Sequence, residues 1–224
     1  GSETVGALTL GAGHNVIRST AGTAATVETL TFASLAANAN HSTLLVRGVA
    51  LGDSVTPTAI RGMIVITGLT GAVGGAGAAG TQNTSIYPFM IGDTTDTGLG
   101  SSFVRDIGSG SLKPLTTAEY TTDAAGYNAL TGASTNNVRF TTGSTLTGVP
   151  TAINSLVLDG SSAITLTGPA SALQVTSGAI LSTQAVGNTI NTFTGIATSG
   201  ITQDYTIYVT DPSGSLTIAS PLTT

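Results

Sequence analysis

The sequence predicts an all-β protein, and within that class it favours a parallel β-helix, in which the chain winds into stacked coils of short strands. Three observations predict this fold. Small and β-branched residues dominate the 224-residue chain, in which only 8% of residues are charged and 4% are aromatic. Apolar and polar residues alternate over short segments, as they do in half-buried strands. Glycine or polar turns end these segments at short intervals, and residues that favour helices are scarce.

Short alternating segments occur in both halves of the chain and are the predicted strands. In the first half they are residues 7–10, 16–18, 29–32, 43–47 and 63–67. In the second half they are residues 138–141, 155–158, 163–167, 173–176, 189–193, 205–209 and 216–218. The alternation places aliphatic residues on one face of each strand and mostly Thr and Ser on the other.

Turn spacing is compatible with two folds, a β-helix and a β-sandwich. Between residues 138 and 195 a strand and a turn recur about every 8 to 10 residues, a spacing that both folds use. Only Asp159-Gly160 resembles the two-residue hairpin signal that joins antiparallel strands. The interior candidates are aliphatic and lack the large aromatic side chains of a sandwich core. These features favour the β-helix, with a β-sandwich as the alternative.

The middle of the chain breaks the pattern and predicts an irregular insertion. Residues 71–80 form a glycine- and alanine-rich loop, and residues 84–130 hold most of the aromatic residues. Thr116 and Glu119 have the spacing of a helix capping box, which predicts one helical turn. We therefore predict one continuous domain of three segments: β-helix coils at 1–70, the loop and insertion at 71–137, and coils again at 138–224.

Seven short motifs occur in an order that resembles a known family. They are GALTL at 6–10, LLVRG at 44–48, PFMIG at 88–92, FVRD at 103–106, LKPLT at 112–116, INSLVL at 153–158 and ITLTG at 164–168. Their order resembles the autotransporter-associated β-strand repeat proteins, which are adhesin-like secreted or surface proteins. The resemblance covers most of the chain. It implies a right-handed parallel β-helix, secretion to the bacterial cell surface or the extracellular matrix, and no catalytic residues.

Candidate metal ligands are few. The only histidines, His14 and His41, lie in turn-like contexts and lack the second ligand at fixed spacing that a zinc site needs. Asp93 and Asp96 are the best pair of carboxylates for calcium. They lack the regular acidic spacing of calcium-binding loops, which favours a polar turn instead. The chain contains no cysteine, which excludes disulfides and thiolate metal sites.

Catalytic chemistry has little support in the sequence, and we expect neither enzyme activity nor a cofactor. A polysaccharide-cleaving site needs paired acids, or a set of Asp, Arg and Lys on one face of a sheet. Arg105 and Asp106 are neighbours, so on a strand they point to opposite faces. Four aromatic residues of the insertion could stack on a sugar, and packing of the insertion against the coils is the stronger interpretation. These aromatic residues are Tyr87, Phe89, Tyr120 and Tyr127.

Composition and resemblance together lead us to expect an extracellular structural or surface-display protein. The net charge of −5 and the absence of a basic run argue against nucleic-acid binding, and no apolar run could span a membrane as a helix. Residues 5–10 and 216–222 are apolar and show no obvious cap, so we expect both ends to present strand edges that pair. The expected partners are other copies, joined head to tail in a fibre or stalk, or other coils of a larger surface protein. The alternative is an adhesin module that recognises a glycan or a surface through residues 71–130.

Overall fold

The computed structural model describes residues 1–22, 27–36, 41–53, 60–132, 134–148, 152–198 and 204–223. Nearly all regular structure in these residues is β-strand, which confirms the all-β class. The chain forms two compact units: Gly1–Ala72 with Phe89–Leu115, and Val73–Pro88 with Thr116–Thr224. Residues 71–137, which the sequence suggested as one insertion, are thus distributed over both units.

The first unit contains two sheets. Its strands are β1 (Ser2–Val5), β2 (His14–Ser19), β3 (Val27–Phe32), β4 (Thr43–Gly48), β5 (Arg61–Ile66), β6 (Met90–Asp93), β7 (Ser102–Asp106) and β8 (Leu112–Pro114). One sheet has the order β1-β3-β5, and the other has the order β2-β4-β6-β7-β8. The pairs from β1 to β5 and from β2 to β6 are parallel, whereas β6–β7 and β7–β8 are antiparallel.

The buried face of the first sheet is defined by two rows of side chains that follow the strand register. The rows are Glu3–Leu30–Ile64 and Val5–Phe32–Ile66. Ile64 and Ile66 are fully buried, which identifies this face as the interior. A methyl group on Gly62, in the same face, would lie 2.9 Å from the hydroxyl oxygen of Ser19 on β2. Glycine therefore allows the two sheets of this unit to approach each other closely.

The second unit is built from short parallel strands and one short helix. Its elements are β9 (Thr121–Thr122), α1 (Asp123–Asn128), β10 (Asn137–Phe140), β11 (Ser144–Thr145), β12 (Ala152–Leu158), β13 (Thr165–Thr167), β14 (Ala172–Ser182), β15 (Gly187–Asn191), β16 (Gly195–Ala197), β17 (Thr206–Val209), β18 (Ser215–Ile218) and β19 (Leu222–Thr223). One sheet has the order β11-β13-β15-β18. The other has the order β19-β16-β14-β12-β10-β9, and β17 also pairs with β14. The parallel pairing of all these strands differs from the antiparallel sheets of a β-sandwich.

The core of the second unit consists of apolar rows that run across the strands. The rows are Val138–Leu156–Ile180–Ile207, Leu166–Ile190–Ile218 and Leu173–Ile196–Leu222. The opposite face of β13, β15 and β18 carries the row Thr165–Thr189–Thr217, as predicted for alternating strands. β14 bends at Gly178, where φ is +68° and a methyl group would lie 2.2 Å from the carbonyl oxygen of Asp204. Only glycine fits this bend, which lets β14 pair with β16 before it and with β17 after it.

Most predicted strands coincide with observed strands, but the first prediction is wrong. Residues 7–10 form no strand, and Leu8 makes only an isolated bridge with Leu35. The first strand is β1, whose Ser-Glu-Thr-Val sequence is more polar than a predicted strand. β1 is a strand because its backbone pairs with β3. Pairing with a neighbouring strand therefore outweighs the local pattern of apolar residues here.

The helical turn at Thr116 is confirmed. A 3-10 turn spans Thr117–Glu119, and the Glu119 carboxylate accepts hydrogen bonds from the backbone N–H and the hydroxyl of Thr116, at 2.8 and 3.0 Å. The α1 helix was not predicted. Ala124 and Ala125 favour helix, but six residues are too few to give a periodic apolar pattern.

Candidate functional site

The loop after β6 contains the candidate calcium ligands and is folded as a polar turn. The Asp93 carboxylate accepts hydrogen bonds from the N–H and hydroxyl of Thr95, at 3.0 and 2.9 Å, and from the N–H of Gly100 at 3.3 Å. Asp93 is buried, whereas Asp96 is partly exposed. Since both oxygens of Asp93 already bind its own loop, the contacts support the polar-turn interpretation.

Metal-ligand clusters are absent from the part of the chain that the structure describes: no three His, Cys, Asp or Glu residues lie close enough to share an ion. His14 contacts the Thr43 hydroxyl through Nδ1 at 2.8 Å, and partial burial lowers the pKa of its imidazole. His41 is exposed and has a positive φ of 49°. His41 thus lies outside the strands, whereas His14, which was also predicted in a turn, begins strand β2.

Three of the four candidate aromatic side chains are buried. Tyr87, Tyr120 and Tyr127 are at most 3% exposed, and Phe89 is partly exposed. The Tyr127 ring packs on Phe140 with 5.8 Å between ring centroids, and burial raises the pKa of its hydroxyl. A sugar could not stack on these three buried rings, which pack inside the protein instead.

A buried amide cluster in the second unit binds the backbone of residues 73–88 to strands β10 and β12. Asn137 donates to the carbonyl oxygens of Gln82 and Thr84, at 3.2 and 2.9 Å. Asn154 donates to the carbonyl of Val73 at 3.2 Å and to the Asn137 side chain at 2.8 Å. Both side chains are fully buried, so an amide N–H that lost its acceptor here would lower the free energy of unfolding. We call residues 73–88 the strap.

A second polar cluster joins the ends of three parallel strands. Asp159 forms an ion pair with Arg139 and accepts hydrogen bonds from Thr183 at 2.5 Å and from Gln184 at 2.8 Å. Partial burial would raise the pKa of the Asp159 carboxyl, but the two hydrogen bonds and the charge of Arg139 outweigh it and hold the pKa below its usual value. Sequence reasoning missed this cluster because Arg139 and Asp159 are 20 residues apart. Its partners are all internal, so the cluster stabilises the strands and leaves no carboxylate free for chemistry.

The last strands of the second unit form a different surface, which we call the C-terminal edge and define as β17, β18 and β19. Each of the apolar rows described above ends on one of these strands. Ile207, Val209 and Leu222 are 40%, 42% and 45% exposed, whereas Ile180 and Ile196, one step earlier in two of these rows, are fully buried. Among the described residues, no strand pairs with the outer side of these three strands. The C-terminal edge therefore combines unpaired backbone groups with exposed core residues.

The first strands of the first unit form the corresponding N-terminal edge, which we define as β1 and β2. Glu3 is paired in register with Leu30, at the end of the row that continues to Ile64, and its side chain is exposed. Beside it, a cavity of about 330 Å³ is lined by Glu3, Glu28 and Arg18, among others. On β2, Asn15 binds the backbone of Gly11 through hydrogen bonds of 3.1 and 2.9 Å. The N-terminal edge therefore combines polar side chains with Val16 of β2, which is 49% exposed.

Comparisons with known proteins add no family to these observations. No protein-family model, curated protein or solved structure matches the chain. The resemblance to autotransporter-associated β-strand repeat proteins therefore stays a prediction. In the described part of the chain, neither helical segment has the length and apolar character needed to cross a membrane.

Proposed function

We propose that this chain is an extracellular structural protein, a β-solenoid module that joins other β-solenoid coils end to end. The observation that carries the proposal is the C-terminal edge. There the apolar rows of the second unit end on exposed side chains beside unpaired strand edges. Such edges are pairing surfaces that isolated proteins normally block.

The solenoid interpretation rests on the order in which the strands are visited. After β13, the chain forms the two halves of β14, then β15, β16, β17, β18 and β19, and each strand pairs in parallel with its counterpart one circuit earlier. Paired residues of successive circuits are 23 to 28 positions apart, from Ala172 with Gly195 to Ile190 with Ile218. A repeat of this length is within the range of solenoid proteins. One circuit would therefore be a three-sided coil.

Composition, together with the hydrogen bonds that occupy two carboxylates among the described residues, supports a structural function over an enzymatic one. The carboxylates of Asp93, a predicted ligand, and of Asp159 each accept hydrogen bonds from neighbouring groups. The glycan-binding alternative through residues 71–130 has less support, because Tyr87, Tyr120 and Tyr127 are buried. The extracellular location rests on the low charge and on the family resemblance.

The test is sedimentation velocity of the 224-residue chain over a wide concentration range. We expect the wild-type chain to associate as the concentration rises, and the double variant Ile207→Lys/Val209→Lys to stay monomeric, because two charges would be buried at each contact. Both positions are already exposed, so the variant should fold, which circular dichroism checks. Wild-type protein that stays monomeric at every concentration would contradict end-to-end association.

A further inference from the structure

The second unit has an edge formed by β9, β10 and β11, which lie in the interior of the sequence. Among the described residues, β11 is the outermost strand of its sheet, and β10 has only the two-residue strand β9 on its outer side. The outer side of such strands would leave backbone N–H groups open to a strand of another molecule. Here several of these groups are bound by the strap and by side chains of α1.

On β10, the N–H groups that point away from β12 have partners in two other elements. The Asn137 N–H donates to the carbonyl oxygen of Gln82 in the strap at 2.8 Å. The Thr141 N–H donates to the Asp123 carboxylate at 2.7 Å, on the same side, because alternate N–H groups of a strand point the same way. Between these two positions β10 pairs with β9. This side of the chain is therefore closed from Asn137 to Thr141.

The chain just after β11 is held in the same way. The N–H groups of Thr147 and Gly148 donate to the side-chain oxygen of Asn128, at 3.1 and 2.8 Å. A methyl group on Gly148 would lie 2.5 Å from the Asn128 Cα, so only glycine allows α1 to approach this closely. Asp123 and Asn128 are the first and last residues of α1, so each end of the helix supplies one acceptor.

The backbone of Asp123 is strained, which singles out its contact with Thr141. Its φ is +53°, in the left-handed region that residues other than glycine rarely adopt. Such a conformation persists only where surrounding contacts hold it. The Asp123 carboxylate binds both the N–H and the hydroxyl of Thr141, and the buried Tyr127 ring packs the helix against Phe140.

We propose that α1 and the strap form a cap that closes this edge of the second unit and prevents a strand of another molecule from pairing with β10 or β11. The oxygens of Asp123, Asn128 and Gln82 take the place of the backbone carbonyls that a further strand would offer. Covering an edge with a helix or loop is one way in which proteins prevent strand addition, and proteins built from stacked repeats need such caps. The cap lies at the other end of the strand order from the C-terminal edge, so it goes beyond the proposed end-to-end association and does not depend on it.

Two double variants of α1 test the cap. Asp123→Gly/Asn128→Ala removes both acceptors, and glycine also relieves the positive φ. Asp123→Asn/Asn128→Asp is the matched control, because it keeps a side-chain oxygen at each position and the same net charge. We expect amide hydrogen exchange at Thr141 and Gly148 to be about tenfold faster in the first variant, and close to wild type in the control. Unchanged exchange in the first variant would overturn the proposal, because the two side chains would then not close the edge.

Association of the same variants is measured by sedimentation velocity, with each combined with Ile207→Lys/Val209→Lys so that the C-terminal edge cannot contribute. We expect the variant that lacks both acceptors to form species larger than a monomer as its concentration rises, and the control to stay monomeric. Faster exchange without association would overturn the cap and leave end-to-end association intact, since that is tested on the wild-type chain. Where circular dichroism shows that the first double variant does not fold, Asp123→Gly alone is compared with Asp123→Asn in both measurements.

Discussion

The contacts that Asp159 makes in the folded protein cannot be predicted from its local sequence. Asp159-Gly160 indicates a turn, and the residue does follow β12, but its partners Arg139 and Thr183 come from neighbouring strands. Alternation along a strand predicts which face a side chain takes, whereas its partner depends on the register between strands. Local sequence did predict the polar turn at Asp93, because its partners Thr95 and Gly100 lie in the same loop.

Replacement of Asp159 should alter the dependence of stability on pH. The pKa of the Asp159 carboxyl is lower in the folded protein than in the unfolded chain, where an Asp has a pKa of about 3.9. The ionised carboxylate therefore stabilises the folded protein at pH values above the unfolded pKa. This contribution is lost as the pH falls through the folded pKa. Asp159→Asn should lower the free energy of unfolding by about 1.5–3 kcal/mol at neutral pH, and the difference from wild type should shrink in acid. Urea unfolding at several pH values measures this. Asp204→Asn, at an exposed carboxylate, is the control, and an unchanged difference from pH 7 into acid would refute the prediction.

The strap is the element that the sequence described least well. Its glycine- and alanine-rich half was predicted as a loop, but nothing local indicated that Asn137 and Asn154 would bind its backbone from strands far along the chain. Strands such as β5 and β15 were predicted because burial on one face leaves a period-two pattern. An irregular segment held by side-chain amides leaves no such pattern.

Asn154→Asp should release the strap. The substitution keeps the shape of the side chain but removes the donor to Val73 and Asn137, and it places a charge at a fully buried position. We expect a loss of about 3 kcal/mol or more, and faster amide hydrogen exchange at Val73 and Ile86, whose backbones bind each other at 2.7 and 2.9 Å. Asn136→Asp is the matched control, because that side chain is partly exposed and water can replace its partners. Equal effects of the two substitutions would show that Asn154 does not hold the strap.

Over the whole chain, the all-β class could be predicted because composition and alternation are properties of every strand. The chemical difference between the edges could not be predicted in the same way. Residues 5–10 and 216–222 have similar apolar content, and only the strand pairing shows that the first strand is the more polar Ser2–Val5 while Ile207 ends an apolar row. Function at this scale depends on which strands lack a neighbour, and a local pattern does not contain that information.

The energetic cost of shortening a core residue should fall along each apolar row towards the C-terminal edge. Ile180 and Ile207 are paired in register on β14 and β17, but Ile180 is fully buried and Ile207 is 40% exposed. Ile180→Ala should lower the free energy of unfolding by about 2–5 kcal/mol, whereas Ile207→Ala should cost less than about 1 kcal/mol in the monomer. Chemical denaturation at low protein concentration gives both values. At high concentration the cost of Ile207→Ala should increase, because the wild-type residue becomes buried when the edge is covered, and association adds to apparent stability. A cost for Ile207→Ala that does not change with concentration would mean that this side chain stays exposed in the assembled protein.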